Sequence, residues 1–348
     1  MNKKKIINRI IENKNPISMD EYINLCLYDV KGYYQKKNII GSSGDFITAP
    51  EISQLFGEII GLYIYLFWKN NIDSFTNLIE IGPGNGTLLK DILNITKTFL
   101  KFNNNIEICL IEKNLNLIKL QREKLNYYLN SKYKISWNND FEDIPKKPCI
   151  IYANEFLDCL PVKQFYFKNK VWLEKMVNYN SKEKQLFLED KEVVNKKILL
   201  SLKNENENGV VEYSKERDDY FVKICKFLSN FGGICIIIDY GYDSILKNFT
   251  LQAINNNKQA NILDNPGDQD ITSLVDFNKL IKIAKLNNLK IRNYTSQREF
   301  LLSNGLLERK NILLKENHFH KNIIQKGYER LIDKNSMGSL FKILIVSK

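Results

Sequence analysis

The segment NLIEIGPGNG, from Asn77 to Gly86, constrains the fold more than any other part of this chain. An apolar run carries the carboxylate Glu80 and leads into glycines at every second position, Gly82, Gly84 and Gly86. Glycine tolerates positive φ and lets the backbone approach a ligand, so the pattern predicts a strand, a tight turn and a helix N-terminus. Such a turn either cradles a nucleotide-type ligand or is a glycine turn that binds nothing.

The spacing of the glycines narrows the choice of ligand. A G-x-G-x-G pattern differs from the G-x-G-x-x-G pattern of dinucleotide binders. Pro83 removes one backbone N–H donor from the turn, which suits an uncharged or zwitterionic ligand better than a pyrophosphate. Glu80 is placed to accept the ammonium group of an amino-acid moiety. Together these features point to S-adenosylmethionine (SAM) as the cofactor.

Strand-like and helix-like patterns alternate along the rest of the chain. The predicted strands are Leu78–Ile81, Ile106–Ile111, Tyr133–Trp137, Cys149–Ala153 and Gly233–Gly241, with two more in the tail, Ile291–Tyr294 and Leu340–Val346. Strands separated by helices indicate an α/β fold with a doubly wound, Rossmann-like parallel sheet. In such sheets ligands bind beyond the carboxyl ends of the strands.

Acidic residues follow two further predicted strands at that edge. Glu112 ends the second strand and is expected to hydrogen-bond the two ribose hydroxyls of an adenosine-type ligand. Asp140, after the third strand, is expected to accept the adenine amino group. Alternatively, Asp140 is a turn residue of the sequence Asn-Asn-Asp.

The fourth strand ends in Asn154 and Glu155, with Asp158 three positions further on. Methyl transfer from a sulfonium is an in-line displacement, for which orientation and electrostatics supply most of the acceleration. Glu155 and Asp158, one helical turn apart, would grip a guanidinium group bidentately. The alternative is that both carboxylates cap the helix expected after this strand.

The chain has 348 residues, of which 44% are hydrophobic, enough for a sizeable core. We predict an N-terminal helical cap over 1–70, a core over 71–161 and 230–348, and an inserted β-rich and helical lobe over 162–229 that is expected to recognise the substrate. Within the cap, one long helix is predicted from Glu51 to about Trp68.

The net charge of +11 comes mainly from lysine, without an arginine-rich stripe or an aromatic–basic module. No specific nucleic-acid partner is therefore expected, although a basic surface attracts acidic partners. No apolar run reaches the roughly 20 residues of a membrane span. Six scattered cysteines indicate neither a disulfide framework nor a metal site.

Several motifs, in order, resemble one known family over roughly Pro16 to the C-terminus. They are GDFITAPEISQLFGE (44–58), EIGPGNG (80–86), ANEFLDCLP (153–161), IDYG (238–241), LQA (251–253), DIT with VDF (270–272 and 275–277), and MGSLFK (337–342). On these residues the chain is identified as a member of the MidA-like family of class I SAM-dependent methyltransferases. That family includes a mitochondrial protein-arginine methyltransferase needed for complex I assembly and many bacterial members.

The resemblance implies a class I methyltransferase core with an antiparallel C-terminal strand, N-terminal helices and an inserted β-rich lobe. It implies symmetric dimethylation of an arginine on a protein substrate, with a complex I core subunit as the leading example. Two alternatives remain: methylation of RNA or of a small molecule, and a non-catalytic SAM-binding assembly chaperone. No cleavable transit peptide is evident, which favours the bacterial cytoplasm, with the mitochondrial matrix for a eukaryotic chain.

The family motifs also imply roles for individual residues. Asp45, Thr48 and Gln54 are expected to face the cofactor from a loop and helix that close over it, although Pro50 and Glu51 also suit a helix start. Asn154 is expected to contact the methionine part of SAM. The implied catalytic residues are Glu155, Asp158 and Tyr240.

Overall fold

A computed structural model describes residues 2–36, 48–202, 209–255, 258–316 and 318–348. The chain forms two compact units. The core unit comprises Ile40–Leu157, Tyr220–Tyr242 and Val275–Lys348. The lobe unit comprises Met1–Ile39, Asp158–Asp219 and Asp243–Leu274.

The core unit is built on a sheet of seven main strands. In chain order these are β1 (Thr76–Ile81), β2 (Ile106–Ile111), β3 (Lys134–Asn138), β4 (Cys149–Asn154), β5 (Gly233–Tyr242), β6 (Lys290–Ser296) and β7 (Phe341–Ser347). Their order across the sheet is β3-β2-β1-β4-β5-β7-β6, and a two-residue strand, Val275–Asp276, pairs with the end of β5. The first five are parallel to one another, whereas β7 is antiparallel to both β5 and β6. The predicted mostly parallel sheet with an antiparallel C-terminal strand is confirmed.

Burial explains why these runs become central strands. All six residues of β1 are buried, and β4, β5 and β7 are nearly continuous runs of buried apolar residues. Such runs are typical of strands in a mostly parallel sheet that is covered on both faces. The register pairs Ile81 with both Ile111 and Ala153, and Asn154 with Ile238. The carboxyl ends of β1, β2, β4 and β5 therefore lie side by side.

The helix predicted from Glu51 is interrupted at Ser53. A short helix, Ala49–Ile52, ends there, and helix α1, Gln54–Asn71, begins. Ser53 has an extended backbone (φ −160°, ψ 130°), and its side chain accepts a hydrogen bond from the N–H of Leu55. An N-cap serine competes with the backbone in this way and starts a new helix.

Helix α1 packs closely on helix α2, Thr87–Thr96. A Cβ atom on Gly57 would lie 2.5 Å from the Cβ of Asp91, and one on Gly61 would lie 2.7 Å from Cγ2 of Ile95. These two glycines allow the helix backbones to approach. Helix α1 thus belongs to the core unit, and the compact units do not divide at the predicted boundary of residue 70.

Among the described residues, the remaining helices of the core unit include four C-terminal ones that the sequence pattern did not indicate. Arg309, on the helix Leu306–Glu316, binds Glu58 of α1 through two hydrogen bonds, Nε to Oε2 (2.8 Å) and Nη2 to Oε1 (3.0 Å). Glu58 is only 4% exposed, so its charge requires such a partner. The other helices are Leu100–Asn104, α3 (Leu115–Lys124), Asn126–Leu129, Phe277–Leu286, Gln297–Ser303, Lys321–Ile332 and Met337–Leu340.

The lobe unit is largely antiparallel β-structure. Its five-stranded sheet contains Ile17–Ser18, Lys163–Lys168, Val171–Asn180, Gln185–Glu192 and Val210–Tyr213, and its three-stranded sheet contains Gln252–Asn255, Lys258–Ala260 and Asp270–Thr272. Its helices are Asn2–Asn13, Met19–Leu27 and Lys196–Leu202. A β-rich insertion after residue 162 was predicted, but the contribution of 243–274 to this unit was not. A helix, Lys215–Phe231, lies mostly within the predicted insertion.

Among the described residues, none of the helices combines the length and the apolar character needed to cross a membrane.

Candidate active site

The glycine turn joins β1 to α2 and has the backbone that its sequence predicts. Gly82, Gly84 and Gly86 all have positive φ, at 63°, 52° and 77°. The N–H of Gly82 donates to the carbonyl of Ile111 at the end of β2. A Cβ atom on Gly82 would lie 2.8 Å from Cδ2 of Phe156, so a larger residue has no room there. The turn is thus close-packed against the segment that follows β4.

Glu80 lies near the end of β1, 3% exposed. Its Oε2 accepts a hydrogen bond of 3.3 Å from the hydroxyl of Tyr152 on β4. Burial raises the pKa of Glu80 to about 8, although the Tyr152 hydroxyl favours the carboxylate. A cation such as an amino-acid ammonium would restore the charged form of this carboxyl group. Glu80 therefore fits the methionine end of SAM.

The raised pKa of Glu80 makes the stability of the ligand-free protein depend on pH. The unfolded pKa is near 4.5, so the favourable contribution of the protonated form is complete below that pH and is lost as the pH rises through about 8. In Glu80→Gln no charge has to be buried. We expect the free energy of unfolding of Glu80→Gln, measured relative to that of the wild type, to increase between pH 5 and pH 8 by up to a few kcal/mol. Denaturant unfolding at several pH values measures this, and a constant difference would contradict it.

Glu112 is the first residue after β2. Its Oε1 accepts hydrogen bonds from the N–H groups of Lys113 (2.9 Å) and Asn114 (2.8 Å), and its Oε2 accepts one from Gln121 (3.3 Å). Burial raises the pKa of Glu112, while these donors favour its charged form. The carboxylate is thus oriented at the sheet edge where the ribose is expected.

Asp140 follows β3 and already has partners for both carboxylate oxygens. Oδ1 accepts from the N–H of Phe141, and Oδ2 pairs with Nζ of Lys223 at 2.7 Å. Burial acts to raise the pKa of Asp140, but the Lys223 ammonium and the Phe141 N–H outweigh it, and the pKa is lowered. An adenine amino group would have to share an oxygen with one of these donors. Both predicted roles of Asp140, turn residue and adenine contact, are compatible with this geometry.

The segment after β4 is held in an unusual conformation. Glu155 has φ of 51°, uncommon for a residue with a side chain. Its N–H donates to the carbonyl of Ile238, and its Oε1 accepts from the N–H of Ala49 (3.2 Å) and from Nδ2 of Asn154 (3.0 Å). Asp239, 1% exposed, accepts the N–H of Leu157 at 2.9 Å. These contacts fix the backbone from 154 to 157 on the ends of β4 and β5.

Asn154 contributes an acceptor atom that has no partner among the described residues. Its Nδ2 is bound to Glu155, so its Oδ1 faces the other way. That Oδ1 is buried and receives no hydrogen bond from any residue that the structure describes. A buried acceptor without a partner costs about 1–3 kcal/mol, and in a native protein it calls for an explanation. A ligand with an N–H donor would supply one.

Asp158 does not lie one helical turn from Glu155, because residues 155–160 form bends and turns and the next element is a strand. The prediction of a helix after β4, on which both the guanidinium grip and the helix cap depended, is therefore wrong. Asp158 belongs to the lobe unit, where its Oδ1 accepts from the thiol of Cys159. Burial raises the pKa of Asp158, against the opposing effect of Cys159 and of the Arg217 charge.

The other predicted site residues are Tyr240, Thr48, Gln54 and Asp45, and they differ in where they lie and in what they contact. Tyr240 lies at the end of β5, its ring 4.0 Å from that of Phe341. Thr48 precedes the helix Ala49–Ile52, and its side chain makes no capping hydrogen bond. Gln54 is exposed and donates its amide to Glu58. Asp45 lies outside the described residues.

Two residues that bind the glycine turn or its neighbours, Glu51 and Gln121, were not predicted from the sequence to do so. Glu51 accepts hydrogen bonds from Thr87 and Asn85, and it pairs with Lys124 of α3 at 3.6 Å. Gln121 of α3 binds the carbonyl of Gly84 and the carboxylate of Glu112. Both are ordinary polar residues of helices in the sequence, and no local pattern distinguishes them.

The sheet order, the glycine turn after β1 and the acidic residue after β2 define a class I SAM-dependent methyltransferase. The site fits the cofactor: Glu80 offers a buried carboxylate for the ammonium, Glu112 an oriented one for the ribose, and Gly82 of the turn has no room for a side chain.

Comparisons with known proteins agree with this assignment to the SAM-dependent methyltransferases. A family described as "Putative S-adenosyl-L-methionine-dependent methyltransferase" matches residues 59–295. The mitochondrial protein arginine methyltransferase NDUFAF7 homolog of Caenorhabditis elegans is 31% identical, over 97% of this chain and 84% of that protein. The human mitochondrial protein arginine methyltransferase NDUFAF7 is 30% identical, over 95% and 80%.

Solved structures show the same fold. A Burkholderia thailandensis protein bound to S-adenosyl-homocysteine superposes with a TM-score of 0.87 at 22% identity, over 100% of this chain and 92% of that chain. The chain belongs to the MidA-like family of class I methyltransferases. It is a SAM-dependent enzyme.

Proposed function

We propose that this enzyme methylates a nitrogen of an arginine side chain in a protein substrate. The observation that carries the proposal is Oδ1 of Asn154, a buried acceptor at the carboxyl end of β4 that has no hydrogen-bond partner in the described part of the chain. We assign this atom to an N–H of the methyl acceptor rather than to the methionine part of SAM, because Glu80 already offers a carboxylate for the cofactor ammonium.

The chemistry of arginine fits such an acceptor. SAM supplies an electrophilic methyl group, so the protein has mainly to orient the attacking nitrogen. A guanidinium group is protonated at neutral pH and carries five N–H donors. Asn154 Oδ1 would accept one N–H and so aim a nitrogen. The Glu155 carboxylate, next in the chain, would stabilise the guanidinium charge and accept the proton that the nitrogen loses as the new N–C bond forms and S-adenosyl-homocysteine leaves.

Relatives support the substrate class. The nematode and human proteins are named protein arginine methyltransferases, and both are named mitochondrial. From the family resemblance we propose symmetric dimethylation, with a complex I core subunit as the leading target. For the compartment we propose the bacterial cytoplasm, or the mitochondrial matrix if the chain is eukaryotic.

The test adds the purified protein, together with SAM labelled in its methyl group, to an extract from cells that lack this protein. We expect label in one protein band that resists ribonuclease and is lost on proteolysis. Complete hydrolysis of that band should release symmetric dimethylarginine. Label in RNA or in small molecules would replace the proposal with those substrate classes. SAM binding without transfer to any acceptor would favour a non-catalytic assembly chaperone, in which Glu155→Ala still complements loss of the gene.

A further inference from the structure

Gln121, in the middle of α3, makes three hydrogen bonds to the cofactor side of the core unit. Its Nε2 donates to the carbonyl of Gly84 (2.8 Å) and to Oε2 of Glu112 (3.3 Å). Its Oε1 accepts from the indole N–H of Trp137 on β3 (2.7 Å). The side chain is fully buried, 0% exposed. One amide thus joins the glycine turn, the carboxylate after β2 and strand β3.

The orientation of this amide is fixed by the chemistry of its partners. An indole N–H can only donate, so the oxygen of Gln121 must face Trp137. A carbonyl and an ionised carboxylate can only accept, so the NH₂ group must face Gly84 and Glu112. Trp137 is itself held by the guanidinium of Arg122, 4.1 Å from its ring centroid. Flipping the amide would break all three hydrogen bonds at once.

The two acceptors of Gln121 belong to opposite ends of the expected cofactor. The Gly84 carbonyl orients the peptide plane of the turn, so the N–H of Asn85 points to the opposite side, away from Gln121. The Glu112 carboxylate has one oxygen committed to the N–H groups of Lys113 and Asn114, and Gln121 binds the other oxygen. The same side chain therefore sets the orientation of the turn and of the carboxylate for the ribose.

We propose that Gln121 is a positioning residue for SAM, which aligns Glu112 with the glycine turn so that the adenosine and methionine parts bind together. The space around Gln121 is already filled. A Cβ atom on Gly86 would lie 3.4 Å from Cγ of Gln121, so this side chain also supports the last glycine of the turn. Gln121 acts through Glu112 and the turn, and this distinguishes it from a residue that only stabilises the fold.

The test is calorimetric titration of SAM and of S-adenosyl-homocysteine into Gln121→Met, which keeps the volume and removes the amide. We expect Gln121→Met to raise the Kd for both ligands at least tenfold. Gln297→Met is the matched control. Gln297 is also 0% exposed and in the core unit, and it donates to a backbone carbonyl, that of Leu331. We expect Gln297→Met to keep the Kd within about twofold while lowering the melting temperature.

A double-mutant cycle separates positioning from folding. In a Glu112→Ala background, Gln121→Met should weaken SAM binding by no more than about threefold, because one of the groups it aligns is gone. Trp137→Phe retains the amide but frees its orientation, and we expect a loss of about threefold. This second variant keeps the test usable if Gln121→Met fails to fold. The proposal would be overturned if folded Gln121→Met had an unchanged Kd for SAM, or if Gln297→Met lost as much SAM affinity. It would also be overturned if Gln121→Met raised the Kd by the same factor with and without Glu112.

Discussion

Asn154→Leu is expected to lower the rate of methyl transfer by about a hundredfold or more, while the Kd for SAM stays within about threefold. Leucine has nearly the same size but offers no acceptor for the N–H of an attacking nitrogen. It also removes the Nδ2 donor to Glu155, so the carboxylate loses one of its fixed partners. Misorientation of an attacking group costs rate rather than cofactor affinity. Single-turnover kinetics with saturating SAM measure the rate, and calorimetry measures the Kd.

Asn103→Leu provides a matched control for this experiment. Asn103 is also buried, its Nδ2 donates to the carbonyl of Thr96, and its Oδ1 likewise has no partner among the described residues. It lies on Leu100–Asn104, which precedes β2 at the amino end of the sheet. We expect Asn103→Leu to change stability and to leave the transfer rate within about twofold. A loss of SAM affinity in Asn154→Leu, with transfer unchanged at saturation, would assign Asn154 to the cofactor instead.

Gly82→Val is expected to weaken SAM binding by more than about a hundredfold. Valine is β-branched and strongly disfavours the φ of 63° at this position. Its Cβ would also lie 2.8 Å from the ring of Phe156, which itself packs on Tyr220. The turn must therefore move away from the cofactor, or push aside the segment that carries Asn154. Titration of SAM into the folded variant measures the effect.

Gly232→Val separates backbone strain from crowding. Gly232 also has positive φ, at 79°, but no atom of the residues described by the structure lies within 4 Å of a Cβ placed there, its chain neighbours apart. It precedes β5 at the opposite end of the sheet. We expect Gly232→Val to lower the melting temperature and to bind SAM normally. Equal SAM affinities for the two variants would show that the glycine turn does not form the cofactor site.

Local sequence patterns were sufficient to predict the sheet. The central strands are rich in Ile, Leu, Val and Cys, helical patterns separate most of the strands, and the predicted bounds agree with the structure to within about two residues. Because parallel strands carry their carboxyl ends to one edge, Glu80, Glu112 and Asn154 could be placed there before the structure was known. Those predictions rested on chain-local spacing and on the topology of parallel sheets.

The features that the sequence did not reveal depend on contacts distant in the chain. Gln121 is one polar residue of a helix until the fold brings it to Gly84 and Glu112. The C-terminal helix bearing Arg309 has a partner, Glu58, some 250 positions earlier. Asp158 was expected on a helix because its spacing from Glu155 suits one. The left-handed backbone of Glu155 instead turns the chain out of helical geometry at that point.

The central claim, that the ends of β1 and β2 form the cofactor site, is tested most directly by calorimetric titration of SAM into the wild type and into the double variant Gly84→Val/Glu112→Ala. We predict binding in the micromolar range for the wild type and no measurable binding for the variant. A circular dichroism spectrum must first show that the variant is folded. Equal binding by both proteins would contradict the assignment of the site.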